Sequence, residues 1–190
     1  MKIENMLRVV EALGTNPAEG FNINRISKLS KTSVATVYRM LKEMEKRKEV
    51  IGTEKGNNIF YRLNLKNPNT MKYCELSSIE RRRRFLAQKP EVYGEFSGVL
   101  DKFCVAVLFG SAARMERGAK DIDLLLLGHD LPVGETEKLA SGTRISPVYM
   151  EYGEFSEKIK SGESLVLEII REGIVVKGEH EYWDLIGRSL

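Results

Sequence analysis

Cysteine, histidine and long apolar runs are what this chain has least of, and each shortage closes off a class of function. Only two cysteines are present. Cys74 and Cys104 have no CxxC partner, which excludes a disulfide framework or a zinc ribbon and reads both as small buried apolar residues. The two histidines, His129 and His180, lack the spacing of a ligand pair and are assigned no chemistry. No apolar run approaches the ~20 residues of a membrane span. The start, MKIENMLRVVEALG, carries Glu4 and Glu11 where a secretory leader is uncharged, so the expected location is cytoplasmic, with no membrane partner.

What is present is ordinary in bulk and uneven in distribution. With 190 residues, 42% of them hydrophobic, the chain fits one medium domain or two small ones and is not expected to be disordered. Residues 1–90 hold 19 Lys/Arg against 9 Asp/Glu, whereas residues 91–190 hold 11 against 18. A basic half attracts polyanions at long range, and an acidic half repels a nucleic-acid backbone unless a metal cation intervenes. Different partners are expected for the two halves.

Leu7, Val10 and Leu13 recur at helical spacing until the breaker cluster Gly14-Thr15-Asn16-Pro17. A short second helix is predicted over Asn24–Leu29, with Ile23, Ile26 and Leu29 inward, closed by Ser30-Lys31-Thr32. A third opens at Thr32 or Ser33. On a helical wheel Val34, Val37, Leu41 and Met44 form its core side, while Thr32, Thr36, Arg39, Glu43 and Lys46 face outward. Two β-rich runs, Val50–Thr53 and Ile59–Leu63, flank the polar tip Glu54-Lys55-Gly56-Asn57-Asn58 and predict a hairpin.

Three helices with a tight turn between the second and third, then a hairpin, are the parts of the winged helix-turn-helix. The segment TSVATVYRMLKEMEKRKEVIGTEKGNNIFYRLN resembles that family, and the resemblance covers residues 1–67. It implies double-stranded DNA as partner, with the third helix in the major groove and the wing on phosphates or the minor groove. The DNA-contacting residues expected from it are Thr32, Thr36, Arg39 and Lys46 on the helix, with Lys55, Asn57 and Arg62 on the wing. Arg39 suits guanine, and Thr36 a base edge or a thymine methyl. Winged helices often dimerise, so a homodimer is one expectation.

Asn67-Pro68-Asn69 reads as a turn, and residues 68–90 as a linker helix that Pro90 interrupts. Arg81-Arg82-Arg83-Arg84 lies within it. Four consecutive residues on a helix point in four directions, so a solvated helix is expected there rather than a nucleic-acid patch. Val92, Phe96, Val99, Leu100 and Phe103 then suit an amphipathic helix leading into a domain over residues 91–190.

Cys104–Phe109 reads as a buried strand ending in Gly110-Ser111, where glycine permits close backbone approach to a phosphate and serine offers a hydroxyl and an amide. Asp121-Ile122-Asp123 opens a second apolar run, Leu124–Leu127. Strand side chains alternate, so the two aspartates share a face. Their mutual repulsion is relieved by a Mg²⁺ ion, which favours a few carboxylates together with substrate phosphates.

The pattern FGSAARMERGAKDIDLLLL resembles the signature of the polymerase-β-type nucleotidyltransferase superfamily, in its minimal-nucleotidyltransferase branch. The resemblance implies a mixed sheet flanked by helices. It also implies nucleotide binding by Gly110, Ser111 and Arg114, and Mg²⁺ or Mn²⁺ held by Asp121 and Asp123, which become the catalytic pair. A nucleoside triphosphate is the implied substrate or ligand. Three departures stand out. Met115 follows the arginine where the family commonly has glycine, Lys120 precedes the DxD where it has serine, and the turn is shorter. The family's third carboxylate lies on the next strand, yet Arg144–Met150 contains no acid and Glu151 comes only after it.

The chain as a whole reads as α/β (α+β): a winged helix of three helices plus a β-hairpin, linked by a helix to a nucleotidyltransferase-fold mixed sheet. Three functions stay open. One is a DNA-binding protein that transfers a nucleoside monophosphate from a triphosphate to an acceptor. Another is a transcriptional regulator whose impaired transferase fold senses nucleotide. The last is the antitoxin partner of a HEPN-type toxin.

Overall fold

Apolar residues three and four apart build α1 (Ile3–Gly14), which buries Met6, Val9, Val10 and Leu13 on one face. This is a computed structural model. It describes residues 3–100, 103–116, 120–129 and 133–190, apart from the side chains of 97–99, 133, 135, 136 and 139. The chain divides into two units, Met1–Ser77 and Ser78–Leu190.

In the first unit the chain reverses at Gly20, whose φ is 69° and where a Cβ would lie 1.9 Å from the Tyr61 carbonyl oxygen. No side chain fits, so the glycine lets β1 (Phe21–Asn22) pair antiparallel with β3 (Asn58–Leu63). Next, α2 (Ile23–Ser30) is capped by Asn22, whose side chain accepts from the Arg25 amide, and it ends at Lys31 in the left-handed region. Ser33 caps α3 (Val34–Lys46) by accepting from the Thr36 amide. β2 (Val50–Lys55) then pairs antiparallel with β3 around the two-residue turn Gly56-Asn57, giving the strand order β1-β3-β2.

Several sequence expectations move here. In α3 the buried residues are Val37, Met40, Leu41 and Met44, while Val34 is 47% exposed. The core stripe therefore takes Met40 in place of Val34, because α3 starts at Val34 and its first residue has no preceding turn against which to pack. Leu29, expected inward, is also exposed. Thr32 is buried instead of outward, its hydroxyl donating to the Ser30 carbonyl in the α2–α3 turn.

Asn67-Pro68-Asn69, expected as a turn, is the start of a helix. The Asn67 side chain accepts from the amides of Asn69 and Thr70, and proline at the first helical position loses no hydrogen bond. The helix, α4 (Pro68–Gln88), runs across the division between the units. Its arginines are not simply solvated. Arg81 donates to the Glu172 carbonyl at 2.7 Å, and Arg82 donates to the Val176 carbonyl at 2.7 Å and pairs with Glu179 at 2.5 Å. Arg83 pairs with Glu80 on its own helix.

The second unit is a four-stranded mixed sheet in the order β6-β5-β4-β7. β4 (Val105–Phe109) and β5 (Ile122–Gly128) form its antiparallel centre. β6 (Ile145–Glu151) adds parallel to β5, and β7 (Ile174–Lys177) antiparallel to β4. Around it lie α5 (Pro90–Leu100), α6 (Gly110–Ala113), α7 (Val133–Ala140), α8 (Tyr152–Ser161), α9 (Ser164–Glu172) and α10 (Glu179–Ser189).

The two central strands are apolar at nearly every position because both faces of the sheet are covered. Ala106, Leu108, Leu124 and Leu126 pack with Phe85, Phe96, Leu100 and Phe103 on one side. By alternation Val105, Val107, Leu125 and Leu127, all fully buried, face the other side, and α9 and α10 pack against β4. The side chain of Val99, expected in this core, lies outside the described residues. Cys74 is buried as expected, but Cys104 is exposed just ahead of β4. Among the described residues, no helix is long and apolar enough to cross a membrane.

Candidate functional site

The antiparallel register of β4 and β5 sets Phe109, the last residue of β4, opposite Asp123 near the start of β5. The chain therefore leaves β4 as Gly110-Ser111 directly beside Asp123. Gly110 has a φ of 68°, and a Cβ there would meet Asp123 Oδ2 at 2.1 Å. Backbone and carboxylate share a space that only glycine leaves open. Ser111 lies in the single turn α6, half-buried.

Asp121 is exposed one residue ahead of β5, and Asp123 is half-buried two residues on. The Asp123 carboxyl is held above the ordinary carboxylate value. Burial is the largest cause and the Asp121 charge the next, with the Arg114 guanidinium opposing and Glu168 adding. Neither aspartate takes an ion pair among the described residues. Among the described residues, these two like charges thus act on each other with no cation paired to either.

Arg114 is elsewhere engaged. Its guanidinium donates to Glu116 at 2.6 Å, Glu168 at 2.7 Å and Glu172 at 3.2 Å, which holds its pKa above the usual arginine value. The next residue, Met115, has a φ of 56°, the left-handed conformation that favours glycine. The turn residues 117–119 lie outside the described residues.

The neighbouring strand brings no acid to this place. Parallel pairing sets Ser146 beside Asp123, and Glu151 beside Gly128 at the far end of β5. Five residues of strand separate Ser146 from Glu151, about 17 Å. Among the described residues no group of three His, Cys, Asp or Glu side chains is arranged to hold a metal.

A second surface lies on the first unit. Val34, Ala35, Tyr38 and Arg39 are exposed along one stripe of α3, opposite the buried Val37, Met40 and Leu41. From Gly20 to Lys42 the sequence holds five Lys/Arg and no Asp or Glu. Lys42 pairs with Glu45. Arg25, Lys28, Lys31 and Arg39 take no ion pair among the described residues, and Arg39 Nε reaches only the Ala35 carbonyl of its own helix at 3.4 Å.

Other sequence-selected residues are less available. Thr36 is half-buried and its hydroxyl lies 2.8 Å from Ser33 Oγ. Lys46 pairs with Glu43. On the hairpin, Asn57 is exposed at the turn, Arg62 is half-buried, and Lys55 lies 3.7 Å from Glu19 and 5.3 Å from the Phe60 ring centroid.

No family model, curated protein or solved structure matches this chain. The geometry therefore carries the functional reading by itself.

Two groups of residues escaped the sequence reading. Glu168 and Glu172 stand four apart on α9 and converge on Arg114, and their helical spacing was the available signal. Val34 and Tyr38, also four apart, were hidden by the assignment of Val34 to the core. At the opposite end of the sheet His129 meets Tyr152 edge to face at 4.7 Å. Burial, and then a hydrogen bond with Cys104, pushes the Tyr152 hydroxyl up to about 12. Those groups lie away from the aspartates and have no part in the site.

Proposed function

We propose that the chain is a DNA-binding protein whose second unit binds a metal-complexed nucleoside triphosphate, in the manner of a minimal nucleotidyltransferase. For the first unit, the element order α1, α2, α3 and then a hairpin supports a winged helix-turn-helix. The segment Gly20–Lys42, which carries α2 and the first nine residues of α3 and holds no acid, supports a polyanion as its partner.

For the second unit, the observation that carries the reading is the approach of Gly110 to Asp123. A glycine-serine turn abuts Asp123, whose carboxyl feels the charge of Asp121, and neither aspartate takes an ion pair among the described residues. Those two residues fit Mg²⁺ or Mn²⁺ shared with substrate phosphates, and the lack of a third convergent acid among the described residues disfavours a cage made by the protein alone. When bound there, the metal supplies charge neutralisation for the triphosphate. The chain itself contributes backbone approach at Gly110, a hydroxyl at Ser111 and a guanidinium at Arg114, which a phosphate reaches only by competing with Glu116, Glu168 and Glu172.

Nucleotide binding is the principal reading because Ser146 occupies the strand position beside Asp123 where a proton-accepting acid is needed for transfer. Nucleotidyl transfer is the second reading, favoured by Glu168, whose charge already acts on Asp123.

Calorimetric titration of the full chain with each nucleoside triphosphate and Mn²⁺ tests the proposal. Saturable, metal-dependent binding that disappears in Asp121→Ala and Asp123→Ala is expected. Absence of such binding for every triphosphate rejects the nucleotide half. Incubation with labelled triphosphate and cell extract then separates transfer from binding alone. For the DNA half, retention of a random-sequence duplex is expected to weaken with salt, log affinity falling by about 0.9 per phosphate contacted for each decade of salt. No retention at low salt rejects it.

A further inference from the structure

The exposed stripe of α3 is only partly basic. Its N-terminal half presents Val34 at 47% exposure and Tyr38 at 49%, four residues apart and therefore stacked on one face, with Ala35 and Arg39 alongside. An exposed valine is not unusual alone. Here it stands beside an exposed tyrosine and next to Arg39, within a segment that holds five cations and no acid, of which Lys42 pairs with Glu45 and the other four take no ion pair among the described residues.

We infer that Val34 and Tyr38 read thymine C5-methyl groups in the major groove, so that this chain selects its DNA partly by apolar contact. The inference rests on the DNA-binding reading above. Helices that enter the major groove contact base edges with their N-terminal residues, and the thymine methyl is the one apolar group a base pair displays there. Thr36, the residue that the wheel offered for this contact, is half-buried with its hydroxyl committed to Ser33. Val34 puts two methyl groups at the outermost turn, and Tyr38 puts a ring one turn behind them. Arg39, with no acid partner among the described residues, is left for guanine or for a phosphate. A protein partner suits the spot less well, because Arg39 beside it and the acid-free segment Gly20–Lys42 favour a partner dense in negative charge, which duplex DNA supplies by its backbone.

The test compares thymine with uracil, which differ only by that methyl. The full chain is used to select duplexes from a random-sequence pool, and the enriched site is then prepared with thymine and with uracil. Wild-type protein is expected to bind the uracil site about fourfold more weakly for each contacted methyl lost. Val34→Ser and Tyr38→Ser are expected to bind the thymine site more weakly and to lose the thymine preference at the position each contacts. Arg39→Ala is expected to weaken both sites equally. Val34 and Tyr38 are both about half exposed, and an unchanged melting temperature verifies that the variants fold.

Equal wild-type affinity for thymine and uracil sites overturns the inference and leaves DNA binding standing. Failure to retain any duplex overturns both. Self-association of the protein that disappears in Val34→Ser and Tyr38→Ser, with thymine preference intact, assigns the spot to a protein contact and also overturns the inference.

Discussion

On the function proposed, the two candidate surfaces would meet phosphate in opposite ways. On α2 and α3 the chain excludes acids over residues 20–42 and leaves Arg25, Lys28, Lys31 and Arg39 without an ion pair among the described residues. Around Gly110 the chain gathers acids instead. Glu116, Glu168 and Glu172 hold one arginine, Arg114, whose charge, like that of Asp121, also acts on Asp123. A surface of the first kind attracts a polyanion directly. One of the second kind attracts a phosphate only when a small cation comes with it, because the aspartates otherwise repel it. The same contrast appears in backbone geometry, since each unit depends on a glycine at positive φ, one for its fold and one for its site.

That dependence can be broken, and the largest effect is expected in the first unit. Gly20→Ala puts a Cβ 1.9 Å from a backbone oxygen of β3, and no side chain can move to relieve the clash. Loss of about 3 kcal/mol or more is expected for the first unit, from backbone strain together with overpacking. Calorimetry or urea denaturation of the full chain reads this as early melting of the first unit alone. Duplex retention falls with it while nucleotide binding persists.

In the second unit Gly110→Ala is expected to do less to the fold and more to the site. Its Cβ would meet a carboxylate oxygen rather than backbone, so Asp123 can swing away. Displacing that carboxylate is expected to weaken metal-dependent triphosphate binding about tenfold or more, ~1.4 kcal/mol or above. Titration of the variant with Mn²⁺ and ATP measures it. Unchanged affinity breaks the claim that the glycine and the aspartate form one site.

Asp123→Asn sharpens the comparison from the side of charge. The Asp123 pKa is raised in the folded protein, chiefly by burial and then by Asp121. The folded chain therefore keeps this proton at pH values where the unfolded chain has released it. The contribution of Asp123 to stability is accordingly greatest below the ordinary carboxylate value and is lost as pH rises through the raised folded value. Removing the charge is expected to abolish metal-dependent nucleotide binding at neutral pH. It should also stabilise the second unit, by less than about 1 kcal/mol because the group is only half-buried and solvent screens its charge. Melting temperatures of wild type and variant, converging at low pH and separating above it, check this. A variant less stable than wild type at neutral pH contradicts it.

Sequence patterns located the elements better than they located faces and partners. The helix and hairpin order of the first unit, the buried central strands and the place of the Asp-Ile-Asp motif at the start of β5 were all legible, because periodicity and breaker residues are local. The orientation of Val34 was not, since whether a helix's first residue is covered depends on the segment before it. Nor was the fate of Arg114. Two of its three glutamates lie 54 and 58 residues further along the chain, and only the packing of α9 near α6 brings them to it. The arginine run of α4 was misread for the same reason. The carbonyls it meets belong to Glu172 and Val176, and no local pattern announces them.

The smallest expected effect concerns the position after Arg114. Met115 adopts a φ of 56°, and its side chain is 42% exposed, so burial offers little in return for the strain. A non-glycine residue in the left-handed region costs roughly 1–2 kcal/mol, part of which glycine gives back through the greater freedom of the unfolded chain. Met115→Gly is therefore expected to stabilise the second unit by about 0.5–1 kcal/mol. If the strain is only structural, nucleotide affinity stays unchanged while the melting temperature rises. If instead the turn holds Arg114 among its glutamates, relaxing it frees the guanidinium, and affinity for the metal triphosphate rises along with stability. Titration and calorimetry on the same variant distinguish the two, and a destabilised Met115→Gly breaks the strain argument itself.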